Sequence, residues 1–255
     1  MAAVTVIPTT VLITGTNRGL GRALATRFLL RANTIVIGGV RDPTHATSQS
    51  LLQLPCGPGS RLVIIKIDSE VESDAQDALK LIQSEHGIAR LDIVIANAGY
   101  GTVYGDLSQA KPDDIRRTIE VNAIAPFCLF QAFRTLLEAG ERPRFVLIGT
   151  PIASIAAMEN SPFPMVAYGM SKAAAHYLTR KVHCEYPGII AFVIDPGFMQ
   201  TDTGNTGARH FGYEQAFVPV DVAADFAFDQ ISNATREKAA GRFLTIDEER
   251  EYNEW

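Results

Sequence analysis

The chain lacks several features that would assign it to a specialised class of protein. Its 23 Lys and Arg are outnumbered by 28 Asp and Glu, for a net charge of −5, and no basic cluster is present. Phosphate neutralisation needs Lys and Arg gathered on one face, so we expect no nucleic-acid partner. No run approaches the roughly 18 apolar residues that would cross a bilayer, so we expect no membrane partner either.

Cysteine is also scarce, with only Cys56, Cys128 and Cys184 in 255 residues. Their odd number and wide spacing match neither a zinc site nor a disulfide framework, which predicts no metal site and a reducing compartment. We interpret them as three buried small hydrophobic residues. The start of the chain, MAAVTVIPTT, lacks the charged segment and apolar core of a signal peptide, so we predict a cytoplasmic protein.

What is present is an alternation of short β-branched runs and helical patterns, without a linker or an internal repeat. The pattern predicts strands at 10–15, 34–40, 61–68, 91–99, 144–150, 188–195 and 241–247, and helices at 18–31, 74–87, 112–140 and from 166 onward. Strands that are apolar throughout, with crossover-length helices between them, imply a parallel sheet covered on both faces. We therefore predict an α/β fold: a single doubly wound Rossmann-type domain over residues 1–255, with about seven parallel strands.

A glycine-rich segment, TGTNRGLG (14–21), joins the first predicted strand to the first predicted helix. A dinucleotide needs glycines here for a tight turn, for close approach of the backbone to the pyrophosphate and for close packing of helix on strand. The glycine pattern alone is weak evidence for a dinucleotide site, and its position between a strand and a helix makes that evidence stronger. We predict that the cofactor-binding residues of this segment are Gly15, Asn17, Arg18, Gly19, Leu20 and Gly21.

The end of the second predicted strand, GGVRDP (38–43), bears on the choice between NAD and NADP. At about twenty residues beyond the glycine loop, an NAD-binding fold places an acid that bonds the ribose 2′-hydroxyl. Arg41 stands near this place and Arg18 is a second cation, and guanidinium groups bind phosphate in a charge-assisted way. We favour NADP(H), although Asp42 would supply the acid for NAD through a shift of one residue.

Five motifs in order resemble those of the short-chain dehydrogenase/reductase family: TGTNRGLG, ANAG (96–99), VNAIAP (121–126), YGMSK (168–172) and DPG (195–197). The likeness covers nearly the whole chain. Within the family, the chain is most similar to the fungal ketoreductases of the norsolorinic acid ketoreductase type. That narrower similarity is carried by GVRDP after the second strand, by YGMSKAAAHYLTRKVHCE and by a late strand followed by Trp255.

Tyr168 and Lys172 stand four residues apart, which places both side chains on one face of a helix. Adding a hydride to a carbonyl leaves an alkoxide that needs a proton, and a phenol with a pKa of about 10 is a sluggish partner at neutral pH. We expect the Lys172 ammonium to lower the pKa of Tyr168. The resemblance implies that Lys172 also holds the nicotinamide ribose, and that Asn122 positions a water beside the lysine.

The resemblance implies further contacts with the cofactor. Asp68, at the end of the third strand, matches the acid that contacts the adenine amino group, and the family packs the segment after the fourth strand against the adenosine ribose. Pro196 and Gly197 would abut the nicotinamide, and Thr201 would bond its carboxamide. The residues implied after the fourth strand are Asn97, Ala98 and Gly99.

The chain departs from the family at the residue that orients the substrate carbonyl. The family ends its fifth strand in serine, whereas this chain has Thr150 there, 18 residues before Tyr168. That alignment implies an insertion in AMENSPFP (157–164). Ser154 lies 14 residues before the tyrosine, closer to the family's spacing, but beyond the strand end. Strand geometry fixes a residue at the edge of a sheet, so we favour Thr150 and keep Ser154 as the alternative.

These expectations combine into a function. We predict an NADP(H)-dependent oxidoreductase that transfers a hydride between nicotinamide and a ketone or alcohol. The alternatives are a reductase of an iminium or enone, a cyclase or isomerase of secondary metabolism, and a non-catalytic nucleotide-sensing protein. A bulky or aromatic carbonyl substrate is favoured by apolar residues beyond the strand ends, namely Phe163, Met165, Phe198, Phe211 and Tyr213.

The resemblance also implies assembly, because the family uses the helices that correspond to 112–140 in its interfaces. We therefore predict a homodimer or homotetramer. The segment after the sixth strand (195–217) is glycine-rich and is predicted to be a mobile lid over the substrate.

Overall fold

A computed structural model describes residues 7–160, 163–247, 249–250 and 252–255. Seven strands form one sheet in the order β3-β2-β1-β4-β5-β6-β7, and every pair of neighbours is parallel. The strands are β1 Thr9–Thr14, β2 Thr34–Val40, β3 Arg61–Lys66, β4 Ile93–Ala96, β5 Arg144–Ile148, β6 Ile190–Asp195 and β7 Phe243–Thr245. The chain reverses its direction of winding between β1 and β4, so the predicted doubly wound fold is confirmed.

Helices cover both faces of this sheet. They are α1 Gly19–Leu30, α2 Ala46–Gln49, α3 Ser73–Ser84, α4 Pro112–Ile119, α5 Ala125–Glu138, α6 Val166–Glu185, α7 Asp202–His210 and α8 Val220–Asn233. Residues of α3, α5 and α6 belong to one hydrophobic core, and residues of α1 and α8 belong to a second core. The active-site helix predicted from residue 166 is therefore α6, on the same face as α5.

The strands are apolar at successive positions because the sheet has a core on each side. In β5, Phe145 and Leu147 lie in the core with α5 and α6, whereas Val146 and Ile148 lie in the core with α1 and α8. Successive side chains of a strand point to opposite faces, so burial of both faces requires an unbroken apolar run. This is the pattern from which the parallel sheet was predicted.

The predicted helix at 112–140 is interrupted. A π turn, Glu120–Ile124, separates α4 from α5. Pro126 has no N–H, so the α-helical hydrogen bond to the carbonyl of Asn122, four residues earlier, does not form. The proline explains why the helix widens at this point, and π turns of this kind are frequent at functional sites.

The segment after β6 contains a helix that the sequence pattern did not predict. Residues 202–210 form α7, and the role of this segment as a lid stays a prediction. The hydroxyl of Thr201 accepts a hydrogen bond from the N–H of Gly204 at 3.0 Å and caps the helix. Gly207 is buried, and a side chain there would approach the Tyr104 hydroxyl to 3.3 Å. The glycine thus serves close packing, and its low helix propensity is offset by the cap.

The prediction that the cysteines are buried is wrong. Cys56 and Cys184 are exposed and Cys128 is half-buried, and all three are free. Cys56 lies in the loop before β3 and Cys184 in the last turn of α6, on sides of these elements that face solvent. Within the described ranges, no helix is long and apolar enough to span a membrane. In the same part of the chain, no three His, Cys, Asp or Glu side chains are grouped so as to hold a metal ion.

Candidate active site

The glycine loop lies at the carboxyl end of β1 and is held in a narrow space. Gly15 has φ +70°, and its N–H donates to the carbonyl of Gly39 at 2.8 Å. A Cβ on Gly21 would lie 2.2 Å from the carbonyl oxygen of Gly15, so no other residue can be accommodated there without a shift of backbone. In the described structure no side chain caps the first turn of α1, which leaves its N–H groups for an anion.

The segment after β4 anchors this loop. The Asn97 side-chain amide donates to the carbonyl of Thr14 at 2.8 Å. The Thr14 hydroxyl accepts from the N–H groups of Asn97 and Ala98 at 3.1 and 3.0 Å. A Cβ on Gly15 would lie 3.1 Å from Cα of Ala98, so the two loops are in contact. The structure therefore brings Asn97 and Ala98 to the glycine loop, and the contact of 97–99 with an adenosine ribose stays a prediction.

The side chains of the other predicted residues of the glycine loop differ in exposure and in their contacts. Arg18 is exposed, and its guanidinium lies 3.7 Å from the exposed carboxylate of Asp202. The Asn17 amide donates to the Thr47 hydroxyl at 3.0 Å. Leu20 is buried in the core with α8, so only its backbone faces the loop.

The loops after β2 and β3 carry the residues predicted to contact the adenosine. Arg41 is exposed directly after β2. The next residue, Asp42, accepts hydrogen bonds on Oδ1 from the hydroxyl of Thr44 at 2.7 Å and from its N–H at 2.8 Å, which lower the pKa of the Asp42 carboxyl. Asp68 follows β3, and its N–H donates to the buried carboxylate of Asp74 at 2.8 Å.

Tyr168 and Lys172 lie one turn apart on α6, as their spacing predicts. Lys172 is 4% exposed, and its ammonium donates to the carbonyl of Ile148, the last residue of β5, at 2.9 Å. The ammonium lies 5.9 Å from the centroid of the Tyr168 ring. A Cβ on Gly99 would lie 3.5 Å from the Lys172 Nζ, so the lysine is adjacent to the segment that anchors the glycine loop.

The expected lowering of the Tyr168 pKa is wrong. Burial of the phenol, followed by the negative charge of Asp195, raises the pKa of Tyr168 above its usual value. Burial also lowers the pKa of Lys172, to about 8. Desolvation disfavours the charged form of each group, so burial shifts the pKa of the tyrosine upward and the pKa of the lysine downward.

Asn122 ties the segment after β4 to α6. Its Oδ1 accepts from the N–H of Tyr100 at 2.8 Å, and its Nδ2 donates to the carbonyl of Tyr100 at 2.8 Å and to the hydroxyl of Ser171 at 2.9 Å. The side chain is fully buried at the π turn. Ser171 is the neighbour of Lys172, so Asn122 connects the segment after β4 to the part of α6 that carries the lysine. The relay role of Asn122 stays a prediction.

Thr150 and Ser154 flank a short 3-10 turn, Pro151–Ala153, that follows β5. The Thr150 hydroxyl accepts from the N–H of Ile152 at 3.4 Å, and Thr150 is half-buried. Ser154 is 2% exposed, and its hydroxyl accepts from the N–H of Ala157 at 3.0 Å. Each hydroxyl retains its own proton for donation. Residues 161 and 162 of the predicted insertion lie outside the described part of the chain.

Gly101 was not singled out in the sequence, yet it lies against the ring of Tyr168. A Cβ on Gly101 would lie 2.9 Å from Cε2 of that ring. The only signal in the sequence is a second glycine shortly after ANAG, and its partner becomes visible only when β4 and α6 are brought together.

Asp195 was read only as the first letter of DPG, but it organises the turn after β6. It is 5% exposed, and its Oδ1 accepts from the N–H of Gly197 at 2.9 Å. Its Oδ2 accepts from the hydroxyl of Thr245 at 3.2 Å and from the amide of Asn253 at 3.0 Å. Burial raises the pKa of the Asp195 carboxyl, although these three hydrogen bonds oppose the shift. The turn that contains Pro196 and Gly197 is thus fixed from its amino end.

Aromatic side chains gather between the turn before α6 and the two ends of α7. Phe163 lies 4.9 Å from Phe211 and 6.0 Å from Phe198, measured between ring centroids. Tyr104, which was not predicted, lies 5.4 Å from Phe211. Tyr213 lies at the outer edge and is 45% exposed. Met165 joins the wall through a backbone bridge to the loop that carries Tyr104.

Comparisons with known proteins agree with this arrangement. The family model described as short chain dehydrogenase matches residues 9–210. The norsolorinic acid ketoreductase nor1 of Dothistroma septosporum is 41% identical over 239 residues, which cover 92% of this chain and 89% of the relative. The norsolorinic acid ketoreductase stcE of Emericella nidulans is 39% identical over 241 residues, covering 94% and 91%.

Two solved structures have the same fold. An NADPH-bound carbonyl reductase from chicken fatty liver superposes with a TM-score of 0.83 at 24% identity, covering 98% of this chain and all of that chain. The carbonyl reductase Sniffer of D. melanogaster superposes with a TM-score of 0.82 at 21% identity, with the same coverage.

The lowered pKa of Lys172 predicts a pH-dependent stability. The unfolded chain binds the lysine proton up to a pH of about 10.5, whereas the folded protein releases it near pH 8. Stability therefore rises with pH between these values, by about 2–3 kcal/mol from pH 7 to pH 10. Urea unfolding across this range should show the rise in the wild type and not in Lys172→Met. Parallel curves for the two proteins would contradict the buried, destabilised ammonium.

Proposed function

The chain belongs to the short-chain dehydrogenase family, and from this premise we propose that it is an NADPH-dependent ketoreductase. The observation that carries the proposal is the placement of Tyr168 and Lys172 on one turn of α6, at the edge of the sheet where the glycine loop also lies. A bound reduced nicotinamide would supply the hydride. The chain's own residues orient the carbonyl, supply the proton and hold the cofactor.

A dinucleotide fits the loops at this edge. Gly15 and Gly21 let the loops pack closely on one another, and no side chain caps the first turn of α1 in the described structure, which leaves its N–H groups for the negative charge of a pyrophosphate. These features are general for NAD and NADP. The preference for NADP(H) is supported by two exposed cations, Arg41 directly after β2 and Arg18, whose guanidinium would exchange its exposed partner Asp202 for a 2′-phosphate. Asp42, which NAD would require, already accepts two hydrogen bonds from Thr44.

Tyr168 is the proton donor in this proposal. Its raised pKa keeps the phenol protonated at neutral pH, which suits delivery of a proton to an alkoxide formed from a ketone. The phenolate that results would be paired with the Lys172 ammonium. Lys172 is held by the carbonyl of Ile148, and Asn122 fixes its neighbour Ser171, so the donor and its countercharge keep one geometry.

The substrate that we propose is a bulky aromatic ketone. This rests on the cluster of Tyr104, Phe163, Phe198 and Phe211, and on the names of the relatives, which are norsolorinic acid ketoreductases. Aromatic side chains favour flat apolar partners through stacked and edge-to-face contacts. A role in secondary metabolism stays a prediction.

The cytoplasmic location stays a prediction, as does the homodimer or homotetramer. On α5, which belongs to the segment from which assembly was predicted, Phe127 is 41% exposed, whereas Phe130 and Phe133 are buried.

We expect Tyr168→Phe to lower kcat for reduction of aryl ketones by about 10²–10⁴-fold, because the proton donor is lost. Affinity for NADPH, measured by fluorescence titration, should stay within twofold. The matched control is Tyr177→Phe, which changes an exposed phenol on the same helix and should leave both quantities unchanged. Near wild-type turnover by Tyr168→Phe would refute the mechanism.

Three variants assign the hydroxyl that orients the carbonyl. We expect Thr150→Ala to reduce kcat by about 10²-fold, the effect of removing one hydrogen-bond donor to a developing oxyanion. Thr150→Ser should restore most of the rate, and Ser154→Ala should retain it. If Ser154→Ala alone loses turnover, the role belongs to Ser154.

The preference for NADP(H) is tested through its cations. We expect Arg41→Ala to weaken NADPH binding by roughly 10–100-fold and to leave NADH binding unchanged, because a charge-assisted bond to a 2′-phosphate is lost. Arg18→Ala should act in the same direction. Arg61→Ala, an exposed arginine at the opposite end of β3, is the control. Tighter binding of NADH than NADPH by the wild type would overturn the assignment.

A further inference from the structure

Residues 252–255, here called the strap, run along β7 and connect parts of the site that are separate in sequence. Tyr252 forms an antiparallel bridge with Leu244. The N–H of Asn253 donates to the carbonyl of Phe243 at 2.8 Å. The backbone of the strap is therefore attached to the strand at the edge of the sheet, next to β6.

One contact of the strap reaches the turn after β6. The Asn253 amide donates to Oδ2 of Asp195 at 3.0 Å, and Asn253 is only 9% exposed. The other oxygen of that carboxylate accepts from the N–H of Gly197 at 2.9 Å. A buried carboxylate needs its hydrogen bonds, since loss of a donor leaves a charge that water cannot solvate. The position of Gly197 is thus linked to Asn253 through one side chain.

The other contact reaches the loop after β5. The carbonyl of Trp255 accepts from the N–H groups of Ile155 and Ala156 at 3.1 and 3.0 Å. The next N–H along, that of Ala157, donates to the hydroxyl of Ser154 at 3.0 Å. Three successive N–H groups are satisfied in this way, and two of them depend on the strap. The loop that carries the candidate hydroxyls therefore has its backbone fixed from outside.

The indole ring holds this end of the strap in place. It lies 5.6 Å from the ring of Phe243 and 5.9 Å from the ring of His176, between centroids, and the guanidinium of Arg180 lies 5.2 Å from it. His176 is buried on α6, one turn beyond Lys172. The ring is thus seated on the catalytic helix itself.

We propose that the strap positions the active site, with Asn253 setting the turn at Gly197 through Asp195 and Trp255 setting the loop at Ser154. The inference rests on the proposed function, because positioning has meaning only for an active site. The turn after β6 and the loop after β5 lie at the edge where the ligand binds, and misplacement by about 1 Å can cost 10²-fold in rate. Asn253 and Trp255 are positioning residues that touch neither substrate nor cofactor in this proposal.

The first part of the proposal, here called the Asn253 arm, is the link from Asn253 through Asp195 to Gly197. It is tested by exchanging the carboxylate and the amide between positions 195 and 253. Asp195→Asn and Asn253→Asp each remove the complementary pairing of a carboxylate with an amide donor. Each should weaken NADPH binding by roughly tenfold or more, consistent with loss of a buried charged hydrogen bond. The double variant restores the pair with donor and acceptor reversed, and its affinity should return to within about threefold of wild type. A double variant no better than the worse single variant would overturn this arm.

The Trp255 arm is tested with a control from the same segment. We expect Trp255→Ala to lower kcat by about tenfold while the dissociation constant of NADPH stays within twofold, because loss of the ring leaves the backbone carbonyl that holds the loop after β5 without its anchor. Trp255→Phe should recover most of the rate. Glu254→Ala, at an exposed position between the two positioning residues, should match wild type. If Trp255→Ala lowers the melting temperature yet keeps full kcat, the ring is merely structural and this arm is wrong.

The two proposals fail in different ways. Titration with NADPH and NADH needs no ketone, so the Asn253 arm is decided even if the wild type reduces no ketone. A wild type that binds NADPH without reducing any aryl ketone would contradict the proposed function. Restored cofactor affinity in the double variant would still support the strap.

Discussion

Burial of the Lys172 ammonium is the constraint on which the rest of the site depends. A charged amine away from water is tolerated only with hydrogen bonds, and the carbonyl of Ile148 at the end of β5 supplies one at 2.9 Å. That bond fixes α6 against the carboxyl edge of the sheet and sets the place of Tyr168, one turn earlier. The space around the pair is then filled by backbone, since Gly99 and Gly101 pack against the lysine and the tyrosine.

The same crowding explains why the motifs are rich in glycine and why their positions are linked. From Gly15 the contacts run to Ala98, from Gly99 to Lys172 and from Gly101 to Tyr168. One backbone segment after β4 therefore lies between the glycine loop on one side and Tyr168 and Lys172 on the other. Asn122 holds this segment through both polar groups of Tyr100, which makes the π turn part of the same assembly.

The sheet could be predicted because its strands are buried on two faces, which leaves unbroken apolar runs such as RFVLI in β5. The placement of Tyr168 and Lys172 could be predicted from helical periodicity alone. The helices α7 and α8 were not predicted. In α7 the glycines weaken the helical pattern of the sequence, and the helix is stabilised by the Thr201 cap and by close packing, which only the structure shows. Asp195 and Asn253 are 58 residues apart, and neither residue type indicates the other before β6 and β7 are paired.

The pKa of Tyr168 could not be predicted because desolvation depends on what the fold places around the phenol. Sequence spacing shows a cation within reach and so suggests a lowered pKa, whereas burial acts on both partners and shifts them toward their neutral forms. Both shifts bear on proton transfer. With a pKa of about 8, Lys172 still carries most of its charge at neutral pH, while Tyr168 keeps its proton. A site in that state holds a proton to give and a positive charge beside the oxygen that gives it, which is the arrangement that reduction of a carbonyl requires.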